Sequence, residues 1–269
     1  MRAYVIVVAC IAVLSAQGKA QSSDSAATNG QPVERTEWTV MPFASYGMHE
    51  VDFNSLPPVE NCCIGFENTT GIGFGMMLGT SIPLNEDGLR LALRAGYHQM
   101  PAAFSSFSTK PVWVPGMGTV NAVFKEQLDV TYYTIPVDAS LEVRVASGVS
   151  ISVGAQGYYV ASTSFSQSET FQEPAVLTFE NDNRTRNINS GSLSGYNALV
   201  FNGIGSLRTR VASNLGSING IDVVLSYIHP LSPLFDPQQW TGRTQNPAGP
   251  YYITTYNISI LTAGVAIAF

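Results

Sequence analysis

The stretch LRLALRAGYH, residues 89–98, decides the fold. Leu89, Leu91, Leu93, Ala95 and Tyr97 fall on one set of alternate positions, and Arg90, Ala92, Arg94, Gly96 and His98 fall on the other. A helix would scatter the two arginines around its circumference. A strand, whose successive side chains point to opposite faces, separates the two sets completely. The same period of two runs through YTIPVDASLEVRV (133–145) and VSISVGAQGYYV (149–160). It continues, with weaker polar faces, through IDVVLSYIHPL (221–231) and YNISILTAGVAIAF (256–269).

Eight strands are predicted, over 38–53, 72–84, 89–100, 128–145, 149–165, 198–211, 221–231 and 256–269. Short, turn-like NEDG, ASG and ASNLGSING follow the second, fourth and sixth. Long segments rich in Pro, Gly, Asn and Ser follow the first, third, fifth and seventh. Strict alternation of short and long connections belongs to a membrane barrel, with tight turns on one rim and long loops on the other. The fold class predicted is therefore all-β, an eight-stranded antiparallel up-and-down transmembrane β-barrel.

Both ends of the chain agree with this. Residues 1–20 place Arg2 ahead of an apolar run and finish on small residues, the layout of a cleaved secretory signal. The run is too short for a spanning helix, which needs roughly 20 residues. Residues 21–37 read as a flexible periplasmic leader and 38–269 as the barrel. Loss of Arg2 and Lys19 with the signal takes the formal charge from −6 to −8. Such an acidic chain, with no run of Lys or Arg and no Gly-rich phosphate loop, is not a nucleic-acid binder. Reading back from Phe269 at every second residue gives Ile267, Val265, Ala263 and Leu261, an apolar face on a strand that ends on an aromatic.

NCCIGFENTTGIGFGMMLGTSIPL (61–84), followed by LRLALRAGYH, resembles the first hairpins of outer-membrane barrels related to the N-terminal domain of OmpA in Bacteroidetes- and Chlorobi-like bacteria. There a Cys-Cys-x-x-Phe element precedes a Gly-rich second strand and a Leu-Arg-x-x-Leu-Arg-Ala-x-Tyr third strand. The resemblance implies an integral protein of the bacterial outer membrane with extracellular long loops. The terminal strand, Leu261, Ala263, Val265, Ile267 and Phe269, is similar to the signal that the barrel-assembly machinery reads. Many relatives continue into a peptidoglycan-binding domain; the end of this chain at Phe269 sets the expectation that the tether is absent.

If the odd positions of strands three to eight meet lipid, the inward set includes Arg90, Arg94, His98, Asp138, Glu142, Arg144, Arg208, Arg210 and Asp222. Eight strands leave a lumen just wide enough for its own side chains, so these charges should pair into a plug, Arg90 and Arg94 lying beside Asp138 and Glu142. The competing reading is a narrow gated pore or a barrel that takes a small ligand. His49, His98 and His229 have no nucleophile at a recognisable spacing, so a lipid-modifying enzyme is not expected, and no catalytic residue, cofactor or metal ligand is assigned. Phe104, Phe107, Trp113 and Phe124 in the third connection, and Trp240, Tyr251 and Tyr252 in the seventh, would meet a surface ligand, form a girdle at the lipid interface, or pack loop against loop.

Cys62 and Cys63 fall in the first long loop. Adjacent residues of an extended chain point to opposite sides, and no His/Cys cluster accompanies them, which disfavours a shared metal. A vicinal disulfide, free thiols and pairing between molecules all stay open. The expectation is a monomeric, non-enzymatic barrel with an envelope-structural or surface-interaction role. A ligand or transport barrel comes second and a soluble secreted β protein third.

Overall fold

The alternating runs become ten strands in the computed structural model, which describes residues 36–59, 65–85, 88–179, 182–240 and 251–269. They are β1 (Glu37–Phe53), β2 (Thr69–Pro83), β3 (Leu89–Val114), β4 (Gly118–Ala146), β5 (Val149–Glu173), β6 (Thr185–Gly191), β7 (Leu199–Leu215), β8 (Ile218–Pro230), β9 (Gln238–Trp240) and β10 (Tyr251–Ala268). Eight of them form a closed antiparallel ring in the order β1, β2, β3, β4, β5, β7, β8, β10. β10 returns to β1 from Thr39↔Ala268 up to Phe53↔Ile253, so the ring has no open edge at membrane level. β6 and β9 pair outside the ring with β5 and β10. The signal segment, nearly all of the leader, and Cys62 and Cys63 lie outside the described residues.

One rim carries the tight turns. Gly148 (φ 71°) and Gly216 (φ 70°) take the left-handed conformation that lets β4 reverse into β5 and β7 into β8. The chain's end is tied to its first strand at the same rim. The Phe269 N–H donates to the Trp38 carbonyl at 2.9 Å, and the Trp38 N–H donates back to the Phe269 carbonyl at 3.3 Å.

The outer wall is that of a membrane-spanning barrel. The positions predicted to face lipid are solvent-facing and apolar, including Leu93, Val137, Leu141, Val265 and Val153, the last 69 % exposed. A water-soluble monomer rarely shows a continuous apolar surface beyond a few hundred Å², and this one encircles the barrel. Tyr46, Phe74, Tyr97, Tyr133, Tyr159, Phe201 and Tyr227 top the belt on successive strands, where aromatic side chains favour the lipid–water boundary. From Tyr133 to Val145 is twelve residue-to-residue steps. At ~3.3 Å per residue and a tilt of ~40°, this spans ~30 Å along the axis, close to the ~25 Å apolar band of such barrels.

The structure differs from the sequence reading at the third connection. It is not a long irregular loop: β3 and β4 run on past the belt in unbroken register, Met100↔Tyr132 through Val114↔Gly118, and reverse at Pro115–Met117. β5 continues beside them to Glu173, and β6 adds a fourth strand, giving an extramembrane sheet β3-β4-β5-β6. The cause is a change of neighbour. Above Gln99 the β2–β3 register ends, so Pro111, which lacks an N–H, sits on an edge that needs no donor.

Candidate functional site: a layered lumen beneath an extramembrane sheet

The lumen fills in layers. At the tight-turn rim, Asp222 on β8 accepts from both β7 arginines: Arg208 Nε at 2.7 Å and Arg210 Nε at 2.7 Å. Arg208 also lies 3.5 Å from Glu142 of β4, and Ser150 of β5 donates to the other Glu142 oxygen at 2.6 Å. Arg210 reaches Glu37 at 3.3 Å. Gly220 makes this approach feasible, since a Cβ there would stand 2.6 Å from Arg210 Nε. Arg90 is opposite Glu142 in register and donates to the Ser81 hydroxyl at 2.7 Å and the Ser81 carbonyl at 2.9 Å. Arg144 is exposed at the rim and lines, with these groups, a cavity of about 180 Å³.

One layer up, Arg94 on β3 and Asp138 on β4 are register partners, bonded at 2.9 Å, with Ser140 3.5 Å from the same guanidinium. Asp138 is 2 % exposed. A buried charge is tolerable only when it is paired, so removing either partner would be costly.

The third layer is a buried hydrogen bond that sequence spacing did not reveal. Ser45 Oγ and His98 Nε2 are 2.7 Å apart although 53 residues separate them. They meet across β2, whose inward face is glycine at 73 and 75; a Cβ on Gly73 would lie 2.7 Å from Ser45 Oγ. The cavity next to His98 is about 20 Å³, the room of a single water and too small for a substrate. Of the other histidines, His49 is enclosed by the Phe104 and Tyr256 rings, and His229 is exposed on the outer wall near Tyr227.

Above this the lumen is apolar. Phe53, Phe104, Leu128, Tyr132, Tyr158, Ile204, Ile228, Tyr256 and Ile260 converge from the ring strands. Leu56, Val59 and Phe66 from the first connection, Leu193 from the fifth, and Leu234 and Phe235 from the seventh pack onto them. Phe53 stacks on Tyr256 at 5.6 Å and meets Phe104 edge-on at 5.5 Å. The Tyr132 and Tyr256 hydroxyls in this core satisfy each other, lying 2.5 Å apart. Each large side chain buried in such a core contributes about 1.5–3 kcal/mol. At the outer rim, partial burial and the nearby Asp52 carboxylate push the Tyr252 phenol above its ordinary range.

The loop aromatics split accordingly. Phe104 is fully buried in the upper plug, and Phe124 is buried with Phe171, Val114, Ala122 and Leu177 at the far end of the sheet. Phe107 and Trp113 are exposed and Tyr252 is half-buried, and the interface girdle is built from strand residues instead. The side chains of Trp240 and Tyr251 lie outside the described residues. Glu37 is the charged member of the rim cluster that sequence reasoning missed. Leu261, Ala263, Val265 and Ile267 face outward on β10, with Phe269 just past its end.

No protein-family model matches the chain, and no curated protein is similar to it in sequence. Among solved structures, it is similar to Ail, the attachment invasion locus protein of Yersinia pestis. Identity is 10 % over 88 % of this chain and 100 % of that one, with a TM-score of 0.36. A Pseudomonas aeruginosa FadL homologue gives 8 % identity over 87 % of this chain and 90 % of its own, with a TM-score of 0.28. The outer membrane protease OmpT of Escherichia coli gives 11 % over 87 % and 96 %, with a TM-score of 0.26. Values this low assign no task to the chain, and the barrel assignment rests on its closed strand ladder.

Proposed function

We propose that the chain is a monomeric, non-enzymatic protein of the bacterial outer membrane that works through envelope structure or surface contact rather than through passage of solutes. The tight turns face the periplasm; the β3-β4-β5-β6 sheet and the loops face the exterior, as in barrels of the OmpA kind. The terminal strand through Phe269 is the segment the barrel-assembly machinery would read. The observation that carries the reading is the filled lumen. Two ionic layers and an apolar plug stand in series, and the cavities bordering Arg94 are about 20 Å³ each. Side chains that fill a barrel of this size leave a packed core, not a channel.

A second reading, a small-ligand site, draws support from the rim cavity of about 180 Å³ between Arg90, Arg144, Arg208 and Arg210. Planar-bilayer recording with the refolded chain separates passage from plug. The expected outcome is a silent bilayer at moderate voltage, while the same sample migrates faster on a gel unboiled than boiled. Reproducible single-channel steps would overturn the sealed-lumen reading.

A further inference from the structure

The sheet above the girdle has an outward face that neither the lumen nor the lipid belt uses. Its residues form rows across the strands. One row is Ser105, Gln127, Ser168 and Asn187, and the next below it is Ala103, Asp129, Ser166 and Ser190. Under these come Pro101, Thr131 and Ser164. The row above the first is Phe107, Lys125, Thr170 and Thr185, with the Thr170 and Thr185 hydroxyls 2.9 Å apart. Ser164 and Ser166 are exposed, as is Phe107 at 48 %. The one cation and the one anion of these rows are joined through an amide: Lys125 donates to Gln127 at 3.2 Å, and Gln127 donates to Asp129 at 3.0 Å. The surface therefore offers hydroxyl and amide groups at the strand spacing of ~4.8 Å, with no charge excess and an aromatic face at its upper border.

Two features choose the occupant. The neutral, hydroxyl-bearing rows match a ligand that presents many hydroxyls and few charges, which describes a sugar chain and neither a nucleic acid nor a highly charged peptide. The face is also continuous with the lipid-contacting wall: the outward positions of β4 run from Val137 through Tyr133 to Thr131 and Asp129 without a break. Whatever covers it is in line with the head groups of the outer leaflet. We propose that this face binds the oligosaccharide head groups of glycolipids in the surrounding leaflet. The inference rests on the outer-membrane reading above and names the partner of its exterior sheet.

The test uses the full chain in detergent and the neutral, water-soluble outer-core oligosaccharide of bacterial lipopolysaccharide, freed of acidic sugars and phosphate, observed by saturation-transfer NMR and titration. The wild type should saturate the sugar protons. The triple variant Ser164→Ala/Ser166→Ala/Ser168→Ala should weaken binding at least tenfold, and Phe107→Ser should act in the same direction. Asn257→Ala/Ser259→Ala, on the opposite wall, should leave it unchanged. In nanodiscs, native mass spectrometry should show wild type retaining lipopolysaccharide that carries core sugars over lipid A alone, and the triple variant losing that preference.

No saturation by the wild type would overturn the proposal. So would undiminished binding by both variants, equal retention of sugar-bearing and sugar-free lipid, or binding of a sulfated oligosaccharide alone. Heat-modifiable migration is followed in every sample, so failure here with that behaviour intact leaves the barrel reading standing. Its loss in the wild type would strike the barrel reading itself.

Discussion

Two stretches of the same strand obey opposite rules. Along β4 between Tyr133 and Val145 the outward residues are Ile135, Val137, Ala139, Leu141 and Val143, and the inward ones include Asp138 and Glu142. Between Asn121 and Thr131 the outward residues include Lys125, Gln127 and Asp129, and the inward ones are Ala122, Phe124, Glu126, Leu128 and Val130. Backbone alternation passes through the girdle uninterrupted, but the polarity of the two faces inverts. The strand geometry is the same in both; the medium outside changes from hydrocarbon to water, and what the inside must contain changes with it. Where the exterior is lipid, the interior can hold polar groups provided they pair. Where the exterior is water, burial of apolar side chains has to stabilise the structure.

Substitutions that violate the local rule should rank by how far they leave a group in the wrong medium. The largest effect is expected from Arg94→Leu, which strands the Asp138 carboxylate in the lower lumen and should cost about 4 kcal/mol, read as a lowered urea midpoint of the folded band. Adding Asp138→Leu should recover most of that loss; a double variant no better than the single would mean the pair is not the unit. Next is Phe104→Ala in the upper plug, about 3 to 4 kcal/mol from lost burial and the cavity left behind. The bilayer should remain silent in this variant, because the ionic layers below are untouched.

Val137→Arg, on the lipid side, should cost about 3 kcal/mol near mid-membrane in a vesicle-refolding titration. The smallest change is expected from Lys125→Ala on the same outward face above the girdle, under about 0.5 kcal/mol. Equal penalties at Val137 and Lys125 would erase the contrast between the two regions.

The lower region was legible from sequence because charge makes alternation visible: Arg90 and Arg94 against leucines, Asp138 and Glu142 against Val137 and Leu141. Arg90 and Arg94 follow the tight turn that opens β3, Asp138 and Glu142 precede the one that closes β4, and similar distances from that rim place Arg94 opposite Asp138. The upper hairpin was hidden because its alternation is written in Ser, Ala and Phe, small and mixed residues with low contrast between faces. Pro101 and Pro111 also punctuate it as they would a loop. Glu37 escaped for a different reason: the sequence reading left it in the leader, one residue ahead of the first predicted strand, whereas β1 begins with it. The Ser45–His98 contact depends on the glycine face of β2 lying between them, a property of three strands at once that no spacing within one strand records.

The inversion at the girdle is tested most directly by collision accessibility of spin labels placed one at a time at outward β4 positions 141, 137, 129 and 125, with the chain in lipid vesicles. Labels at 141 and 137 should be relaxed by oxygen, which concentrates in hydrocarbon, and those at 129 and 125 by a water-soluble nickel chelate, with the crossover near Tyr133. Nickel access at 137, or oxygen preference persisting to 125, would contradict the account.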